Sequence, residues 1–376
     1  MKIAIVAPSG VPYTVGGAEK LWWGLLDTLR RRPGCEVELL KIPSPERSLD
    51  EVLASYRRFS ELDLDHFDLV ISTKYPAWMI DHPCHYVYLQ HRLRGLYDTY
   101  PADFGKDLSK LPQAAGHLVD LLGETPTIDG RAAVFAELDA LREGLDPAAW
   151  REVAAFPGPL ARAVVHWLDD SALQPGPVKK FMAISSTVRE RAGYFPPDTH
   201  VQVIHHPSDL EPSEPGEGRY LLAVGRLDGA KRFDLLLRAW RQVRTGGELW
   251  IAGTGPEEQR LRQMAEGDAR VRFCGRVDDE ALRRLYSHAL AVVFIPAEED
   301  FGLITVEAMQ AGLPVLTTVD AGGVTELVTD GETGWIVAPL EAELAGAMQE
   351  ILDEPATARA MADACRERVA GITWPA

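Results

Sequence analysis

The sequence is short of three things: cysteine, long apolar runs and basic residues. Four of its 376 residues are cysteines, and no two form a Cys-x-x-Cys pair, so neither a disulfide framework nor a zinc site is expected. No run of 18 apolar residues occurs, which predicts that no helix spans a membrane. Lys and Arg number 39 against 56 acidic residues, and the net charge of −17 argues against nucleic acid as a main partner.

The start of the chain carries a prediction about location. Lys2 leads directly into the strand-like run IAIVAP, which is too short, and too soon followed by Ser, Gly and Pro, for a secretory signal. We therefore expect a cytoplasmic protein and leave peripheral contact with the inner face of the membrane open. Of Trp22 and Trp23 in the first helix, one is expected in the core, and the other could face an acceptor or a membrane.

Short apolar runs rich in Val and Ile alternate with helical patterns along most of the chain. The runs are continuous, as strands buried on both faces of a parallel sheet require. Strand–helix–strand alternation is typical of doubly wound α/β sheets. The strand-like runs are KIAIVAP, FDLVIS, HYVYLQ, FMAIS and VQVIHHP in the first half, and YLLAVGRL, ELWIAGTG, VRFCGRV, LAVVFIP, LPVLTTV and TGWIVAP in the second.

Two departures from this alternation predict the domain organisation. Residues 99–178 have helical patterns and almost no strand signal, which indicates a helical insertion in the first domain. The acidic segment 209–218, rich in Pro and Gly, lies between two strands and is the best linker candidate. We predict Rossmann-like domains at 1–208 and 209–376. Facing one another, they would leave a ligand cleft at the carboxyl ends of both sheets.

Two loops carry features suited to a phosphate. Gly16 and Gly17 stand where the first helix begins, and such a turn can bring N–H groups close to an anion; a plain glycine turn is the alternative. Their spacing is not Gly-x-Gly-x-x-Gly, so a nicotinamide or flavin dinucleotide gains no support. In GRLDGAKR, Arg226 and Lys231 lie between a strand and a helix and could both reach a pyrophosphate. The alternative is a pair of solvated cations.

The segment PAEEDFGLITVEAMQAG holds two glutamates eight positions apart. Glu307 is predicted to open a helix, where a carboxylate can accept the two hydroxyls of a ribose, and Glu299 lies in the loop before it. Between them, the backbone N–H groups of Phe301, Gly302 and Leu303 could cradle a phosphate. Coincidence is the alternative, and the setting after a buried strand and before a helix argues against it.

Two further patterns bear on a metal. The tandem His205-His206 suggests a metal ligand, but no third ligand accompanies it, and a strand-end pair facing the cleft is the favoured interpretation. The lone Asp-x-Asp, Asp63 to Asp65, precedes a strand and is expected to be solvated. No metal site is therefore predicted.

Together these segments resemble the family 4 retaining glycosyltransferases, whose two-Rossmann-domain architecture is called GT-B. The resemblance covers the second domain almost completely, through GRLDGAKRFDLLLRAW, LWIAGTGPEEQRL, VRFCGRV, the Glu-x7-Glu element, GLPVL, GGVTELV and GETGWIV. The first domain matches through GGAEK, LQHR, HWLDD, FMAISSTVRER and VQVIHHPSDL. The EDFG, WLDD and VIHHP elements resemble the lipopolysaccharide-mannosyltransferase-like branch most. The loop after His91 is shorter than in that branch, and His205-His206 replaces the common Asn-Gly.

The resemblance implies roles for the phosphate-binding residues. Gly17, with Gly16 beside it, would donate its N–H to the distal phosphate of a nucleotide-diphosphate sugar. Arg226 and Lys231 would neutralise the diphosphate as it leaves. Because these cations and helix N-termini offset the charge, no divalent metal and no cofactor are expected.

The resemblance also implies roles around the nucleoside and the sugar. Glu307 would hold the ribose hydroxyls, and the backbone of Val277 would line the base. Glu299 would contact hydroxyls of the donor sugar, with help from the amides of 301–303. His91 would lie beside the transferred sugar, near its C6 hydroxyl.

The expected activity is transfer of a hexose, with retention of configuration, from GDP-mannose or another GDP- or UDP-hexose. The acceptor would be a hydroxyl of a glycan, a lipid-linked molecule or a small molecule. A same-face reaction fits better than covalent catalysis by Glu299. The alternatives are a GT-B nucleotide-sugar 2-epimerase, a phosphorylase, for which this chain is too short, and a non-catalytic nucleotide-sugar-binding protein.

Overall fold

The computed structural model describes residues 1–10, 16–211, 216, 218–244 and 246–374. No helix within these residues is long and apolar enough to cross a membrane.

The described residues form two compact units. Unit 1 holds residues 1–184 and 188–204, and unit 2 holds 185–187 and 205–374. The predicted boundary after residue 208 falls in the same connection between the two sheets. The structure assigns the short segment 185–187 to unit 2 because its contacts are made there.

Unit 1 contains a six-stranded parallel sheet with strand order β2-β1-β3-β4-β5-β6. β1 is buried along six consecutive residues, as expected for a strand covered on both faces. β2 is absent from the predicted strands, because as an edge strand it mixes charged and apolar residues. The strands are β1 Lys2–Ser9, β2 Glu36–Pro43, β3 Leu69–Ser72, β4 His85–Leu89, β5 Val178–Ala183 and β6 Val201–Val203.

Helices cover this sheet, and four of them lie within the segment 99–178 predicted as a helical insertion. α3 to α6 occupy 116–172, between β4 and β5. Side-chain oxygens cap two of the helix starts, Ser48 for α2 and Asp146 for α5. The helices are α1 Gly17–Arg30, α2 Leu49–Ser60, α3 Gly116–Gly123, α4 Arg131–Gly144, α5 Pro147–Val153, α6 Pro159–Ala172 and α7 Ser186–Glu190, of which residues 186–187 belong to unit 2.

Unit 2 contains a second six-stranded parallel sheet, with order β12-β11-β10-β7-β8-β9. All five residues of the inner strand β10 are buried. The strands are β7 Tyr220–Val224, β8 Glu248–Ala252, β9 Val271–Gly275, β10 Ala289–Val293, β11 Val315–Thr318 and β12 Gly334–Val337. The helices are α8 Phe233–Trp240, α9 Glu258–Met264, α10 Asp279–His288, α11 Leu303–Gln310, α12 Glu341–Asp353, α13 Pro355–Ala360 and α14 Ala362–Val369.

The two sheets confirm the predicted α/β class with two Rossmann-like units. In a doubly wound sheet, ligands bind at the carboxyl ends of the strands. In unit 2 these ends carry the loops that follow β7, β8, β10 and β11, and the predicted donor-binding residues of this unit lie on those loops, on α11 or just past β9.

Candidate functional site

The loop after β7 is held in place by Arg232. Asp228 caps a short 3-10 helix, Gly229–Lys231, by accepting the Lys231 N–H. Arg232 follows with a left-handed backbone (φ +52°), which is uncommon for a residue other than glycine. Its guanidinium donates to the carbonyl oxygen of Ile295 and to both carboxylate oxygens of Asp320. Arg232 therefore ties this loop to the ends of β10 and β11.

Lys231 and Glu299 are in direct contact. Lys231 Nζ lies 2.5 Å from Glu299 Oε2, and the two side chains are 19% and 22% exposed. The same ammonium lies 5.3 Å from the centre of the Phe294 ring. The predicted phosphate-binding cation and sugar-binding carboxylate thus form one partly accessible ion pair. A diphosphate arriving here would compete with the carboxylate for the same ammonium.

Arg226 lies on the same loop in a different environment. Its side chain is 70% exposed, and its nearest acidic partner is Asp228, at 3.7 Å between Arg226 Nε and Asp228 Oδ2. An exposed pair at this distance contributes little to stability. The Arg226 guanidinium therefore lies mostly in solvent.

The loop from Glu298 to Gly302 requires unusual backbone geometry. Glu298 has φ +49°, and Gly302, which precedes α11, has φ +83°. The backbone of Glu299 pairs with the turn after β11: its N–H donates to Ala321 and its carbonyl accepts the Gly323 N–H at 2.8 Å. A Cβ on Gly302 would lie 2.7 Å from the Val324 side chain. Only glycine fits there, and the loop passes directly into α11, whose first two residues, Leu303 and Ile304, are half-buried.

The prediction that Glu307 opens a helix is wrong. α11 begins at Leu303, and Glu307 is its fifth residue, 5% exposed. Its Oε2 accepts a hydrogen bond of 3.0 Å from the Tyr286 hydroxyl. Burial and the neighbouring carboxylate raise the pKa of Tyr286 well above its usual value, so the phenol stays a donor. Sequence reasoning missed Tyr286, which carries no local motif and meets Glu307 only through packing of α10 on the sheet.

Val277 lies two residues past the end of β9 and is half-buried. The neighbouring loops approach each other at backbone distance. A Cβ on Gly253 would stand 1.9 Å from the Gly225 carbonyl oxygen, and one on Gly255 would stand 2.3 Å from that of Leu227. The glycines of IAGTG are therefore required for packing of the β8 loop against the β7 loop.

Unit 1 holds the predicted Gly16-Gly17 turn. Gly16 precedes α1, and its N–H donates to Glu19 Oε2 at 2.9 Å. Gly17 is the first residue of α1, and a Cβ placed on it would meet nothing within 4 Å. Residues 11–15 of this loop lie outside the described part of the chain.

His91 follows β4 in unit 1. Its Nδ1 lies 2.7 Å from the Arg92 carbonyl, which can only accept, so Nδ1 carries the proton. The His91 ring centre is 5.7 Å from that of Tyr75. Burial, reinforced by the positive charge of Lys74, lowers the pKa of His91 to about 3. The imidazole is therefore neutral at pH 7, with Nε2 as an acceptor.

Next to His91, a buried polar network joins two motifs far apart in sequence. Arg92 from LQHR and Asp169 from HWLDD are both buried, with 3.7 Å between Arg92 Nη1 and Asp169 Oδ2. The Asp169 carboxylate accepts hydrogen bonds of 2.8 Å from the hydroxyls of Tyr56 and Tyr97 and from the Trp78 indole. The network fastens α6 of the helical insertion to the loop that carries His91.

The remaining candidates divide between core and surface. Trp22 is buried and its indole donates to Gln90 at 3.2 Å, while Trp23 is 37% exposed. Asp63 and Asp65 are exposed. Among the described residues, no group of three or more His, Cys, Asp or Glu side chains could hold a metal.

Comparison with known proteins assigns the class of unit 2. Residues 209–368 match the family model described as glycosyl transferases group 1. This stretch includes nearly all of unit 2, and with it the Lys231–Glu299 pair and Glu307. Unit 2 is therefore similar to a glycosyltransferase group 1 domain.

Curated relatives match in part. Glycogen synthase of Mycobacterium tuberculosis (strain H37Rv) is 37% identical over 156 residues, covering 40% of this chain and 37% of that protein. D-inositol 3-phosphate glycosyltransferase of Corynebacterium diphtheriae is 32% identical over 166 residues, covering 41% of this chain and 39% of that protein. The matched stretches therefore span less than half the length of these relatives.

Solved structures match over the whole chain at low identity. Sucrose-phosphate synthase from Thermosynechococcus elongatus has a TM-score of 0.62 at 18% identity and covers 99% of this chain and 94% of its own. The Anabaena protein HepE in complex with UDP-glucose has a TM-score of 0.63 at 17% identity, and the match covers 100% of this chain and 96% of HepE. The fold of the whole chain is therefore the two-domain GT-B fold.

Proposed function

We propose that this protein is a retaining glycosyltransferase that moves a hexose from a nucleotide-diphosphate sugar to a hydroxyl of a glycan, lipid-linked or small-molecule acceptor. The Lys231–Glu299 pair carries the proposal. In this pair, the cation that we propose for the diphosphate lies 2.5 Å from the carboxylate that we propose for the sugar, and both side chains are partly exposed. The match of this region to glycosyl transferases group 1 supports it.

The proposed binding mode assigns a role to each predicted donor-binding residue. Lys231 and Arg226 bind the diphosphate, with the N–H of Gly17 on its distal phosphate. Glu299 and the N–H groups of 301–303 bind the sugar. Glu307, held by the Tyr286 hydroxyl, accepts the ribose hydroxyls.

The proposed chemistry takes place on one face of the sugar. The bond from the anomeric carbon to the diphosphate oxygen breaks, and the acceptor oxygen bonds to the same carbon from the same side. The acceptor proton passes to the leaving phosphate oxygen. Lys231, Arg226 and the backbone N–H groups stabilise the negative charge that develops, so we propose that the reaction requires neither a divalent metal nor a cofactor. Neutral His91 would accept a hydrogen bond from the C6 hydroxyl of the sugar.

GDP-mannose is the first donor to test, with UDP-hexoses as the next choice. The elements EDFG, WLDD and VIHHP resemble the lipopolysaccharide-mannosyltransferase-like branch, and this resemblance supports mannose as the donor sugar. An α-1,3/1,6-mannosyltransferase of Dictyostelium discoideum is also similar to this chain, at 25% identity over 183 residues. UDP-hexoses are included among the donors to test because the structural neighbour HepE was solved in complex with UDP-glucose. We place the protein in the cytoplasm, with peripheral membrane contact for a lipid-linked acceptor.

A thermal-shift panel of nucleotide sugars tests the donor, because a ligand that binds only the folded state raises the unfolding temperature. We expect one GDP- or UDP-hexose to stabilise the protein above its matching diphosphate. The second experiment is product analysis with and without acceptors. EDTA is present, so that transfer in its presence would support the proposal that no divalent metal is required. Release of a 2-epimer from donor alone would indicate an epimerase, and binding without any turnover would indicate a non-catalytic protein.

A further inference from the structure

Glu326 forms a group of contacts beside the donor loops, among residues to which no donor role is assigned. It ends the 3-10 helix Gly323–Glu326 in unit 2. Its two carboxylate oxygens accept the backbone N–H groups of Ser186, at 2.9 Å, and Thr187, at 2.5 Å. His205 Nε2 lies 3.7 Å from Glu326 Oε2. Burial opposes ionisation, but these donors prevail and lower the pKa of Glu326 to about 2, so the carboxylate is charged at neutral pH.

The partners of Glu326 hold the loop between Glu299 and α11. The Ser185 hydroxyl, one residue before the Glu326 contacts, donates to the Asp300 carbonyl oxygen at 2.5 Å. The His205 ring stacks on Phe301, with centres 5.3 Å apart and planes 20° apart. The Asp300–Phe301 turn is therefore held at two points: the Ser185 hydroxyl bonds its backbone, and the His205 ring packs on the Phe301 side chain.

The same 3-10 helix fixes the loop from the other direction. The N–H of its first residue, Gly323, donates to the Glu299 carbonyl at 2.8 Å. A Cβ on Gly323 would lie 2.6 Å from the Asp300 carbonyl oxygen, so the two backbones are packed without space for a side chain. Displacement of Glu326 would be transmitted along this short helix to Glu299.

We propose that Glu326 is a positioning residue that, through Ser185 and His205, holds the 300–303 turn so that its N–H groups meet the donor sugar. The inference rests on the proposed function and deepens it. It predicts that Glu326 affects recognition of the sugar and leaves recognition of the nucleoside diphosphate unchanged, because Lys231 and Arg226 lie on the loop after β7. Glu307 lies a full turn into α11, where the Tyr286 hydroxyl holds it.

The test compares Glu326→Gln with the wild-type protein by calorimetry, with the preferred nucleotide sugar and with its matching diphosphate, GDP or UDP. The substitution keeps the shape and removes the charge that orders the two N–H donors. We expect about tenfold weaker binding of the nucleotide sugar and unchanged binding of the diphosphate. The KM for the donor should rise about as much, and the KM for the acceptor should stay the same.

Ser185→Ala, which removes only the hydroxyl on the Asp300 carbonyl, should show the same selectivity with a smaller loss, and it serves as the test if Glu326→Gln fails to fold. Glu341→Gln is the matched control, because Glu341 pairs with Arg238 on the surface of the same unit. Equal weakening of both ligands, or no weakening of either, would overturn the inference. A wild-type protein that binds no nucleotide sugar would instead refute the proposed function.

Discussion

The polar residues at the carboxyl ends of the two sheets are used differently. In unit 2, the Lys231–Glu299 pair is partly accessible, and Arg226 is mostly in solvent. In unit 1, Arg92 and Asp169 are buried, and their hydrogen bonds are made with other residues of the same buried network, such as Tyr97. In a partly accessible pair, each group can exchange its partner for a ligand, whereas a fully buried pair cannot do so without leaving a charge unpaired. The comparison predicts that substitutions in the first group affect activity and those in the second affect stability.

The largest expected effect is on transfer by the Lys231→Ala variant. Loss of the cation that offsets the leaving diphosphate should lower kcat/KM for the donor about 100-fold or more. The free energy of unfolding should change little, because the ion pair is partly exposed. Arg226→Ala should act in the same direction. Steady-state kinetics and urea unfolding check both, with exposed Lys110→Ala as the control. Full activity in both variants would show that the phosphate assignment is wrong.

The converse is expected for Asp169→Asn in unit 1. Removing the carboxylate leaves Arg92 buried without a full counter-charge, and the free energy of unfolding should fall by about 3 kcal/mol. Asp139→Asn, whose exposed carboxylate pairs with Arg57 on the surface of the same unit, is the matched control and should change stability by well under 1 kcal/mol. Urea unfolding of both variants makes the measurement. Equal stabilities would mean that the network does not fasten α6 to the His91 loop.

As pH falls, the buried histidines of unit 1 should lower the stability of the protein before protonation of Glu326 does. Burial lowers the pKa of His85 and of His91 to about 3, and of His166 to about 4. Each ring is neutral when folded but takes up a proton near pH 6.5 when unfolded, so the stability it contributes is fully present above pH 6.5. That stability is lost as pH falls from 6.5 towards about 4 for His166 and about 3 for His85 and His91. The loss is at most about 1.4 kcal/mol per pH unit for each histidine. Glu326, with a pKa of about 2, loses its contribution only as pH falls from about 4 towards 2.

Unfolding measured from pH 7.5 to 4.5 checks this order. His85→Gln, which removes a fully buried ring bonded to Ser72, should flatten the slope in that range. A slope identical to that of the wild-type protein would show that His85 is not among the groups that titrate.

Sequence patterns predicted most of the fold because buried parallel strands leave continuous apolar runs. β2 was missed because it lies at the edge of its sheet. Local motifs also marked Lys231, Glu299 and Glu307 as site candidates, but the start of α11 was misplaced. Gly302 in a left-handed conformation, and not Glu307, marks that start. Arg232, Tyr286 and Glu326 act through residues distant in sequence, and no local spacing records such contacts.

The smallest expected effect separates a ligand-binding residue from its support. Tyr286→Phe removes one hydrogen bond to Glu307 and leaves the ring in its packing, so nucleoside diphosphate affinity should fall by about threefold to tenfold. Glu307→Ala, which removes the proposed ribose contact itself, should cost more in the same calorimetric titration. An unchanged affinity in Glu307→Ala would refute the ribose role. A Tyr286→Phe variant as impaired as Glu307→Ala would show instead that the phenol, and not the carboxylate, contacts the ligand.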